Sequence, residues 1–177
     1  CKRVTGLFDA FIENTKGTVY LYVRKSQIGP EFIYFTHTVD GVVQAGMNRG
    51  RYGDEVIFRI NRFYDRIEFV QQNTAFYFDP QSPLSRASSA NISLAVLTSE
   101  TVVAEDEGGY LISAGNLFLK ETLLQVKPGG DSGRSVLGRL SDTKTKFRSI
   151  RGYPDNTLFT VEYVYENPAA SYSSKED

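Results

Sequence analysis

The stretch Thr18-Val-Tyr-Leu-Tyr-Val-Arg24 decides the fold class. Val19, Leu21 and Val23 alternate with Tyr20 and Tyr22, a period of two that gives a strand one aliphatic and one aromatic face. Gly17 marks the turn before it. Downstream, Glu31 to Val39 is a second strand-like run rich in Phe, Tyr, Ile and Thr, and Asp40-Gly41 after it is a hairpin signal, with Val42, Val43 and Met47 as a returning segment. Glu55 to Asn61 sets Val56, Phe58 and Ile60 against Glu55, Ile57 and Arg59, and Arg66 to Val70 puts Ile67 and Phe69 on one face. These two read as an antiparallel pair joined through Arg62 to Asp65. A further strand is expected over Thr74 to Phe78, ending at Asp79-Pro80.

The period then changes. Leu84, Ala87, Ala90 or Asn91, Leu94 and Leu97 recur every three to four residues, which predicts a helix over 83–97 with Ser82 as N-cap and Pro83 at its first position. Thr101 to Ala104 and Tyr110 to Ile112 read as a short hairpin across Glu105-Asp-Glu-Gly-Gly109. A second helical stretch, Asn116 to Gln125, precedes the Gly/Ser loop Pro128-Gly-Gly-Asp-Ser-Gly133. Val136 to Leu140 and a basic, turn-prone Ser141 to Arg151 lead to a last strand, Asn156 to Tyr165. Strands that lead and close the chain around a central helix predict a mainly β (α+β) fold: an antiparallel, curled or barrel-like sheet with one or two packed helices. The strands at 18–24, 31–39, 55–61, 66–70 and 156–165 are expected in one antiparallel system covered by the 83–97 helix. Residues 1–167 form the domain, and 168–177 a polar linker or tail.

Composition narrows the function. The 177 residues carry 20 Lys+Arg against 21 Asp+Glu, so nothing favours a nucleic-acid partner. No apolar run reaches the roughly 18–20 residues of a membrane-spanning helix, and residues 1–15 lack the order of a signal peptide, so the chain reads as intracellular or as a mature piece of something longer. His37 and Cys1 are the only imidazole and thiol. Zinc sites draw on three or four ligands, usually at least two of them His or Cys, so no cofactor and no catalytic activity are expected of this fragment. A lone cysteine also forbids an intramolecular disulfide.

Four features could carry chemistry. Ser132 in the Gly/Ser loop faintly resembles a serine nucleophile turn, but its only possible base is His37, which lies in an apolar-aromatic strand. Glu105, Asp106 and Glu107 could offer oxygens to calcium, although acids at a hairpin tip ordinarily just solvate the turn. Arg139, Lys144, Lys146, Arg148 and Arg151 form a basic stretch that dispersed acids nearly cancel. Tyr20, Tyr22, Tyr163 and Tyr165 could make a stacking platform for sugar or peptide, against the commoner role of aromatic strand faces as core.

Several segments together resemble the uncharacterised N-terminal domain found ahead of the zincin catalytic domain in bacterial zinc-dependent metalloproteases. They are Gly6-Leu-Phe8, Gly17-Thr-Val-Tyr-Leu21, Asn48-Arg-Gly50 leading into Val56-Ile-Phe-Arg59, Ala75 to Phe78, and Ser85-Arg-Ala87 to Val96-Leu97. Tyr110-Leu-Ile112 with Asn116-Leu-Phe-Leu119, Arg139-Leu140 and Tyr153-Pro-Asp-Asn156 complete the likeness, which spans most of residues 5–167. The family tends to have Asp-Arg-Gly where Asn48-Arg49-Gly50 stands and an Arg-Ser pair at Lys144-Thr145-Lys146, and nothing here matches its His-Glu-x-x-His helix.

The resemblance implies a noncatalytic accessory domain of an exported (periplasmic, outer-membrane-associated or extracellular) zinc metallopeptidase. Its partner would be the downstream catalytic zincin domain of the same chain, against which it packs or for which it helps place substrate. The loops Asn48-Arg49-Gly50-Arg51-Tyr52 and Gly152-Tyr153-Pro154 are the candidate interface, with Asn48, Arg49, Arg51, Tyr52, Tyr153 and Pro154 as contacts, although each could equally be an ordinary turn. The alternative is a free-standing β-barrel-type binding module for a small apolar or sugar ligand.

Overall fold

The period-two stretch forms a strand, with Val19, Leu21 and Val23 buried and Tyr20 and Tyr22 partly exposed on the other side. The computed structural model describes residues 1–42, 47–73, 95–120, 122–123 and 137–167. Among these, strands β1 (Lys2–Val4), β2 (Asp9–Ile12), β3 (Val19–Arg24), β8 (Ala104–Glu105) and β9 (Gly109–Ser113) make a five-stranded sheet in the order β1-β2-β3-β9-β8. Strands β4 (Glu31–His37), β5 (Tyr52–Phe63), β6 (Arg66–Gln71) and β7 (Ala95–Thr101) form a four-stranded sheet in sequence order. Two ladders remain, β10 (Arg139–Leu140) with β13 (Tyr165–Glu166), and β11 (Lys146–Tyr153) with β12 (Asn156–Glu162). All pairings are antiparallel. The architecture is mainly β and curled into a half-barrel, and among the described residues it carries one short α-helix, α1 (Ala114–Phe118).

One core joins the sheets. Ala10, Val19, Leu21, Val23, Tyr110 and Ile112 from the first meet Phe58, Ile60, Ile67 and Phe69 from the second, and Ala114 and Leu117 of α1 close the cluster. Burying aliphatic side chains of this kind contributes about 1.5–3 kcal/mol each. Phe32 bridges the layers, with its ring 5.0 Å from Phe8 and 5.7 Å from Phe58. Phe118 stacks on Phe159 at 4.4 Å, which ties α1 to the β11–β12 hairpin.

Several details differ from the sequence reading. The strands expected in one antiparallel system are hydrogen-bonded in three: β3 in the first sheet, β4 to β6 in the second, and β12 in the hairpin with β11. The helix expected over 83–97 does not reach its end, because Ala95–Thr101 is a strand paired with β6, Val96 facing Val70. Its start, the strand over 74–78, the Gly/Ser loop and the 168–177 tail lie outside the described residues. The second helix begins two residues early, capped by the Ser113 hydroxyl accepting from the Asn116 N–H at 3.3 Å, and stops at Phe118. The basic stretch read as turn-prone holds β11 instead.

Candidate functional site

The outward side of the five-stranded sheet is built by register. Phe11 faces Tyr20, Tyr22 faces Leu111, and Leu111 faces Ala104, so aromatic and apolar groups from four strands share one surface. With Cys1, Glu105 and Asp106 they line a shallow groove of about 340 Å³. The rings of Phe11 and Tyr22 meet edge to face at 6.2 Å. The Arg3 guanidinium lies 5.6 Å from the Phe11 ring centre, a cation–π distance.

Asp106 forms one wall of the groove. Its Oδ1 accepts from the Tyr22 hydroxyl at 2.5 Å, the Gly108 N–H at 2.8 Å and the Gly109 N–H at 2.9 Å. The bond from Tyr22, with those from the two amides, holds the Asp106 carboxyl below its ordinary range, and the same bond raises the Tyr22 phenol. The turn can close this tightly because of its glycines: a Cβ on Gly108 would lie 2.7 Å from the Tyr22 hydroxyl oxygen, and one on Gly109 would strike the Val23 carbonyl. Glu105 is joined to Arg62 at 3.0 Å, and Arg62 also donates to the Tyr110 hydroxyl at 2.9 Å.

Beside the groove the same surface carries a polar knot. Asp9 is completely buried, yet it lies on the outward side of β2. Arg3 donates to its Oδ2 at 2.5 Å, while Arg24 and the Gly6 N–H reach its Oδ1 at 2.9 and 3.0 Å. Burial pushes the Asp9 pKa up, but the bonds from Arg3 and Gly6 and the two guanidinium charges outweigh it and hold the group below its ordinary value. Arg24 and Gln27 also donate to the Leu7 carbonyl. Thr157 locks the neighbouring residue, its Oγ1 accepting from the Phe8 N–H at 2.9 Å and donating to the Phe8 carbonyl at 2.8 Å. Gly6 and Gly152 make this approach possible, since a Cβ on Gly6 would lie 2.7 Å from the Gly152 Cα.

The candidate interface residues fall in two places. Asn48, Arg49 and Arg51 are exposed at the end of the β4–β5 hairpin, where Arg49 reaches Asp40 at 3.7 Å. Tyr52 opens β5, 77% exposed, with its ring 6.4 Å from His37. From this pair an apolar stripe runs down the outward side of β4: Phe35 is 51% exposed and Ile33, paired with Ile57, 69%. The inward residues of the same strand behave differently; burial pushes the Tyr34 phenol up to about 12, so it stays neutral. Tyr153 and Pro154 are at the tip of the β11–β12 hairpin, exposed but anchored, because the Tyr153 carbonyl accepts from the Leu7 N–H at 2.8 Å.

The other sequence candidates are resolved by their partners. Tyr20 and Tyr22 line the groove, whereas Tyr163 stacks on Tyr165 and donates to the Phe118 carbonyl at 2.5 Å. Three of the five residues of the basic stretch are paired with acids, Lys144 with Glu166 at 2.6 Å, and Lys146 and Arg148 with Glu162 at 3.6 and 3.3 Å. Glu105 and Asp106 at the β8–β9 turn are engaged as described, Glu107 is exposed, and among the described residues no group of three His, Cys, Asp or Glu could hold a metal. His37 is exposed, and Ser132 lies outside the described residues. Among the described residues no helix is long and apolar enough to cross a membrane. Comparison with family models, curated proteins and solved structures finds no match.

Proposed function

We propose that this chain is a noncatalytic N-terminal accessory domain of an exported bacterial zinc metalloprotease, docking on the downstream catalytic zincin domain or helping place its substrate. The resemblance of residues 5–167 to such domains supports the reading. The observation that carries it in three dimensions is the group Tyr52, Phe35 and Ile33, apolar side chains left in water on the outward side of the β4–β5 pair. Such patches on a folded protein mark interaction surfaces, and inter-domain contacts resemble transient protein interfaces. The stripe begins at the Asn48–Tyr52 loop, so Arg49 and Arg51 would form the polar rim and Tyr52, Phe35 and Ile33 the apolar centre.

The test is direct. The reading frame after Asp177 should encode a His-Glu-x-x-His segment, and the separately expressed catalytic portion should bind the 177-residue chain. The Ile33→Ser/Phe35→Ser double variant should weaken that binding at least tenfold, and Arg49→Ala more modestly. Tyr153→Ala reports whether the second loop takes part. A reading frame without the zinc-binding segment, or undiminished binding by the double variant, overturns the proposal.

A further inference from the structure

We propose that the groove on the outward side of the five-stranded sheet binds a neutral saccharide, one sugar ring lying against Tyr20 and Tyr22 while its hydroxyls donate to Asp106. The inference does not rest on the accessory-domain reading, because the groove and the Tyr52–Phe35–Ile33 stripe belong to different sheets.

The chemistry of the lining selects the class of ligand by charge. Glu105 and Asp106 together on the groove repel an anion. A cation finds the Phe11 ring already covered by Arg3 and Glu105 already paired with Arg62, which leaves it the Asp106 carboxylate alone. A purely apolar molecule would cover the ionised Asp106 without offering it a donor, and leaving a charge desolvated and unpaired is costly. A sugar satisfies both halves of the site. Its C–H face offers apolar surface to aromatic rings, and its hydroxyls donate to a carboxylate.

The geometry is prepared for that task. Among the described residues the three bonds to Asp106 all converge on Oδ1, and the residue is exposed, which leaves Oδ2 as the acceptor for a ligand hydroxyl. Those bonds also fix the carboxylate and the Tyr22 ring relative to one another before any ligand arrives, which lowers the ordering cost of binding. The volume of about 340 Å³ is at the small end of ligand sites, roughly 300–1,000 Å³, and its open shape suits a chain of sugar units crossing the sheet better than an enclosed cofactor.

The experiment is ligand-observed NMR on the full chain with chitotetraose, cellotetraose, maltotetraose and mannotetraose as probes and choline chloride as the cationic control. At least one oligosaccharide should give saturable transfer, with the strongest signals from ring C–H protons. Tyr22→Ala and Tyr20→Ala should weaken it tenfold or more, and Asp106→Asn several-fold, at unchanged far-ultraviolet circular dichroism. Should either tyrosine variant fail to fold, Ala104→Arg fills the groove from an exposed strand position and should abolish the signal. No saturable binding by any of the four sugars overturns the proposal. So does binding that Ala104→Arg leaves intact, or a response to choline alone.

Discussion

On the five-stranded sheet, the outward side of β2 places a carboxylate under complete cover; on the four-stranded sheet, the outward side of β4 leaves Ile33 and Phe35 in water. The inner faces of the two sheets are alike and feed one core. The outer faces obey opposite rules. A buried charge must have all its partners at once, or its desolvation is uncompensated, so the Asp9 surface is bound up with stability. An exposed apolar side chain makes no such demand and can be replaced with little effect on the fold. The Asp9 knot thus carries stability, whereas the β4 stripe is free to serve the docking proposed for it, and substitutions should separate the two.

The largest effect should come from Asp9→Ala, which removes the shared acceptor of Arg3, Arg24 and the Gly6 N–H. Breaking a buried pair costs about 3–5 kcal/mol; the side chains of Arg3 and Arg24 are 56% and 35% exposed, which places the expected loss near the lower end, about 3 kcal/mol. Urea unfolding measures it, and a loss below about 1 kcal/mol would show that the knot does not hold the sheet. The same residue sets an acid limb. Its folded pKa is depressed, so its contribution is fully present above the unfolded value, near 3.8, and is lost as pH falls through the lower folded value. Asp9→Asn should flatten that part of the stability–pH curve.

Gly152→Ala comes next. Its Cβ would strike the Thr5 carbonyl, and because that atom is backbone the hairpin has to move as a whole. A loss of about 1–3 kcal/mol is expected, together with faster exchange of the Leu7 amide, which now bonds to Tyr153.

How far these features could be read from the sequence follows the same division between local and distant causes. Val19, Leu21 and Val23 announce their strand because each faces the core in strict alternation. β11 is hidden by the register shift between Phe147 and Ser149: Phe147 and Ile150 both pack on the core but stand three apart, which breaks the period of two. β2 is hidden by Asp9, a residue that reads as a turn until Arg3 and Arg24 are known to face it. At 95–97 the three-residue spacing of Leu94 and Leu97 misleads; Val96, Thr98 and Thr101 favour a strand, and pairing with β6 prevails. Tyr20 and Tyr22 are legible as an aromatic face, but the bond from Tyr22 to Asp106 spans 84 residues. In β4 both sides are apolar or aromatic, so alternation cannot say whether Phe32 and Tyr34 or Ile33 and Phe35 turn outward.

Two smaller effects sharpen the contrast. Tyr64, at the β5–β6 turn, has φ of 52°, a conformation that costs a non-glycine residue about 1–2 kcal/mol. Tyr64→Gly should therefore raise stability by up to about 1 kcal/mol, less what its edge contact with Phe63 contributes. Thermal unfolding would register the gain. The smallest effect belongs to Ile33→Ser/Phe35→Ser, which should leave stability within about 0.5 kcal/mol of the parent. A loss well beyond that would mean that the stripe belongs to the fold rather than to an interface.

The pair of bonds between Thr157 and Phe8 joins residues 149 positions apart. At about 5–20 residues per second, a ribosome needs roughly 7–30 s to make the intervening chain. Throughout that interval the Phe8 amide and carbonyl have no Thr157 to engage, and the first sheet must wait with its opening segment undocked. Closures of such long range are slow relative to local hairpins. Pulse-labelled hydrogen exchange during refolding should accordingly find the amides of Leu7 and Phe8 among the last protected, well after those of β5 and β6, so that a residue of β12 secures a segment laid down 149 positions before it.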